Sequence, residues 1–340
     1  MVQPLLRSRY MMVIKKVQSF FNPERFQGWG KDKKYFEGWY FKVVDASEKF
    51  AFAIIPGIAI DENGQRQAFI QILDGKNHKS DYHRFDFGEF VPSSKKFMVS
   101  IGDNNFSDHT LILKLPQVNG ELRFRNTVSW PKPIYSPGIM GPYAFVPFME
   151  CYHGIVSMDH SIEGFLNVNG EHIDFSGGRG YIEKDWGRSF PRAYVWMQSN
   201  HFTASGISVK ASVAKIPWIR NSFVGFIAGV WLENRLIRFT TYNGSKLVKL
   251  AIEEKKLDLV LESRKYQFEL EATRGESTIL ASPIQGMMDG RIEESMTSTM
   301  EVKITEKKSN SILLQDSGRN AGLEVAGDIR QIITGKSLNN

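Results

Sequence analysis

The sequence predicts an antiparallel, mostly-β fold of two consecutive β units that follow a short helical segment. From residue 35 onward, short runs rich in Val, Ile, Phe, Tyr and Leu alternate apolar and polar positions with a period of two. Asn-Gly pairs, the strongest short hairpin signal, lie between such runs at 63–64, 119–120, 169–170 and 243–244. Strands at this density close into barrels or sandwiches.

Three segments follow from these patterns. Residues 1–34 form a basic N-terminal segment, residues 35–175 a first β unit and residues 176–335 a second β unit. The hairpins expected at the Asn-Gly pairs join 52–60 to 67–73, 111–118 to 121–128, 162–168 to 171–175 and 236–242 to 247–252. Five prolines between Pro131 and Pro147 exclude a central strand there and predict a long ordered loop.

Residues 9–21 have helical periodicity. Apolar side chains recur at Tyr10, Val13, Ile14, Val17 and Phe21, while basic residues lie mostly elsewhere. Such a helix can lie on an anionic membrane surface with its apolar face down. The same pattern is typical of a short helix that covers the protein's own core, so both alternatives stay open.

Charge and composition exclude several classes of protein. Of 43 basic and 37 acidic residues, eight basic and two acidic ones lie in residues 1–34, which leaves 35 of each in the remaining chain. A neutral body argues against nucleic-acid binding. No apolar run is long enough to span a bilayer, and no signal peptide is evident. Cys151 is the only cysteine, which suits a reducing cytoplasm, and we expect a cytoplasmic protein that can contact the inner face of the membrane.

The stretch 177–191, GGRGYIEKDWGRSFP, is the hardest to explain as scaffold. Glu183 and Asp185 are two residues apart, so on a strand both face the same side as Tyr181, while Trp186 faces the other way. A carboxyl group buried among aromatic rings is disfavoured as an anion, and its pKa rises toward neutrality. The competing interpretation is that Glu183 and Asp185 form structural ion pairs with Arg179, Lys184 or Arg188.

Aromatic residues add a second feature. In residues 35–41 the alternation places Tyr35, Glu37, Trp39 and Phe41 on one strand face, and Trp196 adds another flat apolar surface. Aromatic faces stabilise cations, whether bound or transient. The alternative is that most of these rings are ordinary β-barrel core.

Metal and nucleotide sites are not indicated. His153, Asp159, His160 and His172 are close in sequence but lack the spacing of a zinc protease. No glycine-rich nucleotide loop in a βαβ context and no serine-hydrolase elbow occur. We therefore expect no metal and no cofactor.

Four motifs resemble the tocopherol cyclase family. They are residues 35–42 (YFEGWYFK), 149–154 (MECYHG), 177–191 and 196–202 (WMQSNHF). That family is distantly similar to carotenoid 1,2-hydratases and AttH-like proteins, and this likeness implies two tandem lipocalin-like β-barrels. It also implies a reaction on a prenylated hydroquinone, in which the alkene nearest the ring is protonated and the phenol oxygen closes a chromanol ring.

The resemblance also implies roles for residues. Tyr181 matches a motif tyrosine, Glu183 the proposed proton donor, and Asp185 a supporting polar position, while His153 is expected to receive or relay the phenolic proton. Asp185 and Glu37 are the alternative proton donors. The substrate-binding residues expected beside them are Glu37, Trp39, Tyr40, Trp186 and Trp196. Two alternatives remain: a non-catalytic binder of an isoprenoid lipid, and a hydratase that adds water to an isolated alkene.

Overall fold

The computed structural model describes residues 2–334, which contain one α-helix and 23 strands in two antiparallel sheets. The helix, α1, is Val2–Phe20. The strands of the first sheet are β1 Tyr35–Val44, β2 Ala51–Ile60, β3 Arg66–Asp74, β4 Lys79–Phe85, β5 Phe90–Pro92, β6 Met98–Ile101, β7 Asn104–Ser107, β8 Thr110–Lys114, β9 Val118–Arg125, β10 Cys151–Val168, β11 Glu171–Asp174 and β12 Arg179–Gly187. The strands of the second sheet are β13 Ala193–Ser199, β14 His201–Phe202, β15 Ser208–Trp218, β16 Asn221–Leu232, β17 Arg235–Thr240, β18 Lys246–Ile252, β19 Lys256–Glu262, β20 Tyr266–Thr273, β21 Thr278–Ile284, β22 Met287–Glu306 and β23 Ser311–Gly327.

The first sheet has the order β4-β3-β2-β1-β12-β10-β9-β8-β7-β6-β5, and β11 pairs with β10. The last strand along the chain, β12, therefore lies between β1 and β10. One face of the sheet carries a buried apolar cluster that includes Trp39, Phe41 and Ile182. We call this side the core face of the first sheet.

The second sheet has the order β17-β16-β15-β13-β23-β22-β20-β19-β18, with β14 beside β23 and β21 beside β22. Val195 and Met197 of β13 belong to its own buried apolar cluster. The side chains that alternate with them, Trp196 and Gln198, lie on the other face and are also buried. Both sheets thus follow the period-two pattern of the sequence.

This architecture confirms the predicted fold class, which is all-β with two tandem lipocalin-like antiparallel β units after a short helix. The N-terminal helix is also confirmed, although it begins earlier than the amphipathic pattern alone predicts. Apolar alternation and turn signals are sufficient to predict this class, because each strand must bury one face against a core.

Two of the four predicted Asn-Gly hairpins are confirmed. The pairs at 63–64 and 169–170 connect β2 to β3 and β10 to β11, which are neighbours in the sheet. The pair at 119–120 instead lies inside β9, and the preceding turn is at 115–117. The pair at 243–244 connects β17 and β18, which lie at opposite ends of the second sheet's strand order.

The boundary between the two β units is later than predicted. Strand β12 pairs with β1 and β10, so residues 179–187 complete the first sheet instead of beginning the second. Compact unit 1 continues to Phe190 and also contains Ala281–Gly290, whereas Leu73–Ser80 belongs to unit 2. The sequence pattern predicts a boundary between the β units near residue 175, because local alternation does not show that β12 pairs with the distant strand β1.

The proline-rich segment is an ordered loop between β9 and β10, as predicted. Trp130, Ile139 and Met140 are buried and anchor it, and a short 3-10 turn occupies Gly141–Phe145. The loop continues directly into Cys151, the first residue of β10.

Candidate active site

The candidate site is built on β12, with β1 on one side and β10 on the other. Tyr40 of β1 lies directly opposite Glu183, and His153 of β10 lies directly opposite Asp185. Directly opposed residues of antiparallel strands share a face of the sheet. The backbone register therefore brings these four side chains to one face.

That face is the one opposite the core face. Ile182 of β12 and its partner Phe41 belong to the apolar cluster. Alternation then sends Tyr181, Glu183 and Asp185 to the other side of the sheet. We call this side the acid face. Its centre is shielded from solvent, because Tyr181 and Glu183 are both buried, while Asp185 at its edge is partly exposed.

Glu183 is the centre of the acid face. The residue is only 4% exposed, and Oε2 accepts a hydrogen bond of 2.5 Å from the Tyr181 hydroxyl. Nε2 of His153 lies 3.4 Å from the same oxygen. The Glu183 carboxyl group is thus hydrogen-bonded to a phenol and lies close to an imidazole.

His153 is oriented by Asp185. Its Nδ1 lies 2.8 Å from Asp185 Oδ1, and a proton on Nδ1 leaves Nε2 as the lone-pair nitrogen. In the described chain Nε2 is buried and makes no hydrogen bond of good geometry, although Glu183 is close. Asp185 and His153 thus form a dyad whose basic nitrogen points toward the Glu183 carboxyl group.

The protonation of the neighbouring groups fits this arrangement. Burial, and then the negative charge of Glu183, raise the pKa of Tyr181 well above its usual value. Tyr181 therefore stays a neutral phenol that donates to Glu183. Burial, and then the charge of Asp185, likewise raise the pKa of the Cys151 thiol, whose Sγ is 3.7 Å from Asp185 Oδ1. Cys151 is therefore a protonated thiol and not a nucleophile.

Two of the three bases offered as ion-pair partners for Glu183 and Asp185 are bound elsewhere. Arg179 donates to both oxygens of Asp159, from Nε at 3.0 Å and from a terminal nitrogen at 2.5 Å. Lys184 binds Glu37, with 2.6 Å between Nζ and Oε1. Of the predicted ion pairs, those with Arg179 and Lys184 are thus replaced by pairs with Asp159 and Glu37, and a pair with Arg188 stays a prediction.

Glu37 and Lys184 form a buried ion pair on the core face. Both side chains are fully buried. The Lys184 ammonium also lies 4.8 Å from the Trp39 ring centroid and 4.7 Å from that of Trp186. The sequence grouped Glu37, Trp39 and Trp186 with the substrate. The structure instead places them on the side opposite Glu183, where the cation that the rings stabilise is the protein's own lysine.

The same ion pair anchors the N-terminal segment. Glu37 accepts hydrogen bonds from the backbone N–H groups of Gln27 and Gly28 and from the Tyr35 hydroxyl. Lys184 donates to the backbone oxygens of two further residues of that segment, Pro23 and Arg25. This cluster thus fixes the N-terminal segment to the first sheet, and the substrate-binding roles of Glu37, Trp39 and Trp186 stay predictions.

Comparison with known proteins bears on what this face does. Residues 116–327 match the model of the tocopherol cyclase-like family, and this range contains His153, Tyr181, Glu183 and Asp185. The chain belongs to the tocopherol cyclase-like family.

The similar proteins are distant. A chloroplastic tocopherol cyclase of Zea mays is 26% identical over 199 residues, which are 55% of this chain and 41% of that protein. A probable chloroplastic tocopherol cyclase of Oryza sativa subsp. japonica is 25% identical over 199 residues, 55% of this chain and 42% of that protein. The chain thus spans about two fifths of these relatives.

A solved structure extends the likeness in fold. The crystal structure of CghA with Sch210972 superposes with a TM-score of 0.53 at 10% identity, and the alignment covers 87% of this chain and 89% of that one. At this identity the similarity concerns the fold alone. It supports the description of two consecutive lipocalin-like units.

The acid face also holds a set of atoms that could bind a cation. One ligand atom each from His153, Glu183 and Asp185 lie within 4.8 Å of one another. An imidazole with two carboxylates is a common donor set for divalent transition metals. Hydrogen bonds among these residues and with Tyr181 already use some of the atoms that would bind the cation. A functional test therefore needs a control with a chelator, which distinguishes metal chemistry from proton chemistry.

Two remaining expectations concern Tyr40 and Trp196. Tyr40 lies on the acid face beside Glu183, whereas Trp196 lies on β13 of the second sheet, opposite Ser212. Their substrate-binding roles stay predictions. The sequence missed Lys42, which is fully buried on the acid face opposite Tyr181. Its position two residues after Tyr40 is the signal that could have found it.

Proposed function

We propose that this protein is a tocopherol cyclase-type enzyme that closes a chromanol ring on a prenylated hydroquinone. The observation that carries the proposal is the acid face, where the buried carboxyl group of Glu183 is joined to Tyr181 and to the His153–Asp185 dyad. Membership of the tocopherol cyclase-like family supports the same class of reaction.

The first step is proton transfer from Glu183 to the trisubstituted alkene nearest the aromatic ring. The proton bonds to the less substituted carbon and leaves a tertiary carbocation. The Glu183 carboxylate formed in this step keeps the hydrogen bond from Tyr181, which strengthens as negative charge develops. Tyr181 thereby lowers the free energy of the transition state.

The second step is attack by the neighbouring phenol oxygen on the cation. A new C–O bond closes the ring, and the phenolic proton passes to Nε2 of His153, which Asp185 holds as the basic nitrogen. Nε2 lies 3.4 Å from Glu183 Oε2, so the proton can return to the carboxyl group. Substrate and product are isomers, and the cycle needs no redox partner.

Burial separates this proposal from the hydratase alternative. A carbocation exposed to water is captured as a tertiary alcohol, whereas a dry site leaves the phenol oxygen as the nearest nucleophile. Glu183 and Tyr181 are both buried, which favours cyclisation. A binder of isoprenoid lipids has no need of the acid–base pair that Glu183 and His153 form.

Prenylated quinols dissolve in lipid, and the proposal therefore includes contact with a membrane through residues 9–21. In residues 2–334 the structure contains no helix that is long and apolar enough to cross a bilayer. Such contact would be peripheral, with the helix lying along the surface.

The test is incubation of the purified protein with prenylated hydroquinones in heavy water, followed by mass spectrometry of the products. Cyclisation gives an isomer of the substrate that carries one deuterium on carbon. A water adduct would instead support the hydratase, and an unchanged substrate would support the lipid binder. Equal turnover with and without EDTA supports proton chemistry, whereas loss of turnover in EDTA would contradict it.

A further inference from the structure

Helix α1 turns its apolar stripe outward. Tyr10, Val13 and Val17, together with Phe21 just after the helix, recur at helical spacing and are all exposed, Tyr10 to 66%. This differs from the alternative in which the helix covers the protein's own core. An exposed stripe of four large apolar side chains is unusual for a soluble surface.

The opposite side of the helix is attached to the body of the first unit. Ser19 is buried, its hydroxyl accepts a 3.1 Å hydrogen bond from Trp29 Nε1, and its backbone oxygen accepts a 2.7 Å bond from Gln27 Nε2. Lys15, four residues earlier, places its ammonium 4.3 Å from the Trp29 ring centroid. The helix is therefore attached to the first unit through its polar side. Because this side faces the protein, the apolar stripe on the other side faces solvent.

The loop between β9 and β10 displays a second set of apolar side chains. Ile134 and Tyr135 are each 78% exposed, and Phe145 and Phe148 are about half exposed. The loop is ordered beneath them, since the Tyr152 hydroxyl donates to the Val146 backbone oxygen at 2.5 Å. Large apolar groups on an anchored loop cannot retreat into a core.

The helix and the loop meet. The ring centroids of Phe20 and Phe145 are 5.1 Å apart, and Lys132 Nζ lies 2.9 Å from Glu24 Oε1. We call the exposed side chains of these two segments the apolar surface; they are Tyr10, Val13, Val17, Phe21, Ile134, Tyr135, Phe145 and Phe148. Both segments belong to the first unit.

We propose that the apolar surface docks this protein on an anionic lipid bilayer, and that the loop of residues 131–148 is as much part of it as the helix. The charge around the surface selects this partner, because residues 1–34 carry eight basic and two acidic side chains. Lys16, Lys31 and Lys33 are exposed among them and can contact lipid phosphates. Aromatic rings such as Tyr135 and Phe148 are typical of the interfacial layer of a membrane.

The loop also connects the bilayer to the acid face, a step that rests on the proposed function. Phe148 is five residues before His153, a span of at most about 18 Å of extended chain. The end of the loop is fixed to the end of β12, since the Arg188 N–H donates to the Glu150 backbone oxygen at 2.8 Å. The apolar surface and His153 are therefore joined by a short, anchored stretch of chain, which places the proposed membrane contact near the acid face.

The test is co-flotation of the full-length protein with vesicles of phosphatidylcholine and phosphatidylglycerol. The loop variant Ile134→Ser/Tyr135→Ser is expected to lower the partition coefficient at least roughly tenfold, because two large apolar side chains no longer enter the interface. A matched control, Val248→Ser/Ile312→Ser, removes two exposed apolar side chains of the second sheet and is expected to bind as the unaltered protein does. Binding should also weaken with salt and with vesicles of phosphatidylcholine alone.

Two results would overturn the proposal. One is a loop variant that binds vesicles as well as the unaltered protein. The other is light scattering that shows a dimer in solution which the loop variant converts to a monomer, since the surface would then bind a second copy of the chain. Vesicle binding is measured without substrate, so it can succeed even if cyclase activity fails. Where activity is found, the loop variant should lose turnover on substrate in vesicles and keep it on substrate in detergent micelles.

Discussion

Replacement of Glu37 by glutamine tests whether the Glu37 carboxyl group contributes to stability and not to turnover, in contrast to the proposed proton donor Glu183. Glutamine keeps the size of the side chain and one acceptor oxygen for the N–H groups of Gln27 and Gly28. It removes the negative charge that lies 2.6 Å from the Lys184 ammonium. Because Lys184 is fully buried, the variant contains an uncompensated charge in the interior.

The expected cost is large. Removal of one partner of a buried ion pair destabilises a protein by about 3 to 5 kcal/mol, mostly through the charge left behind. Two backbone oxygens and two tryptophan rings still contact Lys184, which favours the lower part of that range. Turnover per folded molecule is expected to stay unchanged, because Glu37 lies on the core face.

The pH dependence identifies the cause. Burial already lowers the pKa of Lys184, and loss of the opposing effect of Glu37 lowers it further. Between the lowered pKa of Lys184 in the folded state and the usual lysine pKa, the unfolded chain binds more protons than the folded one, so the stability of the variant rises with pH across that interval. The deficit relative to the unaltered protein should therefore shrink as the pH approaches the usual lysine pKa of about 10.4.

Urea unfolding measured across this pH range is the assay. The double variant Glu37→Gln/Lys184→Met removes both charges and is expected to recover part of the lost stability. A loss below about 1 kcal/mol in Glu37→Gln, or a deficit that does not change with pH, would refute the reasoning. So would a selective loss of turnover in a fully folded Glu37→Gln protein.

Three further predictions follow from other contacts. Tyr181→Phe should lower kcat by roughly one to two powers of ten, because it removes a hydrogen bond to the carboxylate that develops at Glu183. The control is Tyr35→Phe, which removes the matching hydrogen bond to Glu37. It should lower stability in urea and leave kcat unchanged. Asp185→Asn should lower kcat about a hundredfold in steady-state assays, because the wrong tautomer of His153 is favoured, and should leave substrate binding intact. Burial lowers the pKa of His160 from 6.5 to about 3, so the unfolded state binds the proton first and stability falls as the pH drops through this window, by up to about 1.4 kcal/mol per pH unit. Urea titrations at several acidic pH values should find this fall missing in His160→Gln.

Much of the fold could be predicted from local sequence. Period-two alternation predicts strands, and it correctly predicts that Tyr181, Glu183 and Asp185 share a face that Trp186 does not. Proline density predicts the ordered loop before β10. These features depend only on residues near one another in the chain.

Register between distant strands could not be predicted. Alternation within β1 correctly groups Glu37 with Trp39, but it does not tell which face of β12 they share. Pairing with β12 puts Trp39 opposite Lys184, so that the lysine ammonium lies over the Trp39 ring on the face away from Glu183. The unit boundary was missed for the same reason, since β12 completes a sheet begun by β1.

Hairpin signals failed where strand pairing overrode them. The Asn-Gly pair at 119–120 lies within strand β9 and not in a turn. Gly120 has a positive φ of 142° and lies opposite Leu166 of β10. An added Cβ at Gly120 would lie 2.3 Å from the Phe165 backbone oxygen. Glycine is required there by close approach of the neighbouring strand, and not by a turn.

The most direct test of the central claim is turnover of Glu183→Gln with a prenylated hydroquinone. The amide keeps the shape of the side chain and can still accept the Tyr181 hydrogen bond, but it cannot supply the proton. We predict that the variant folds, binds the quinol as the unaltered protein does, and forms no chromanol. Chromanol formation at the unaltered rate in Glu183→Gln would contradict the account.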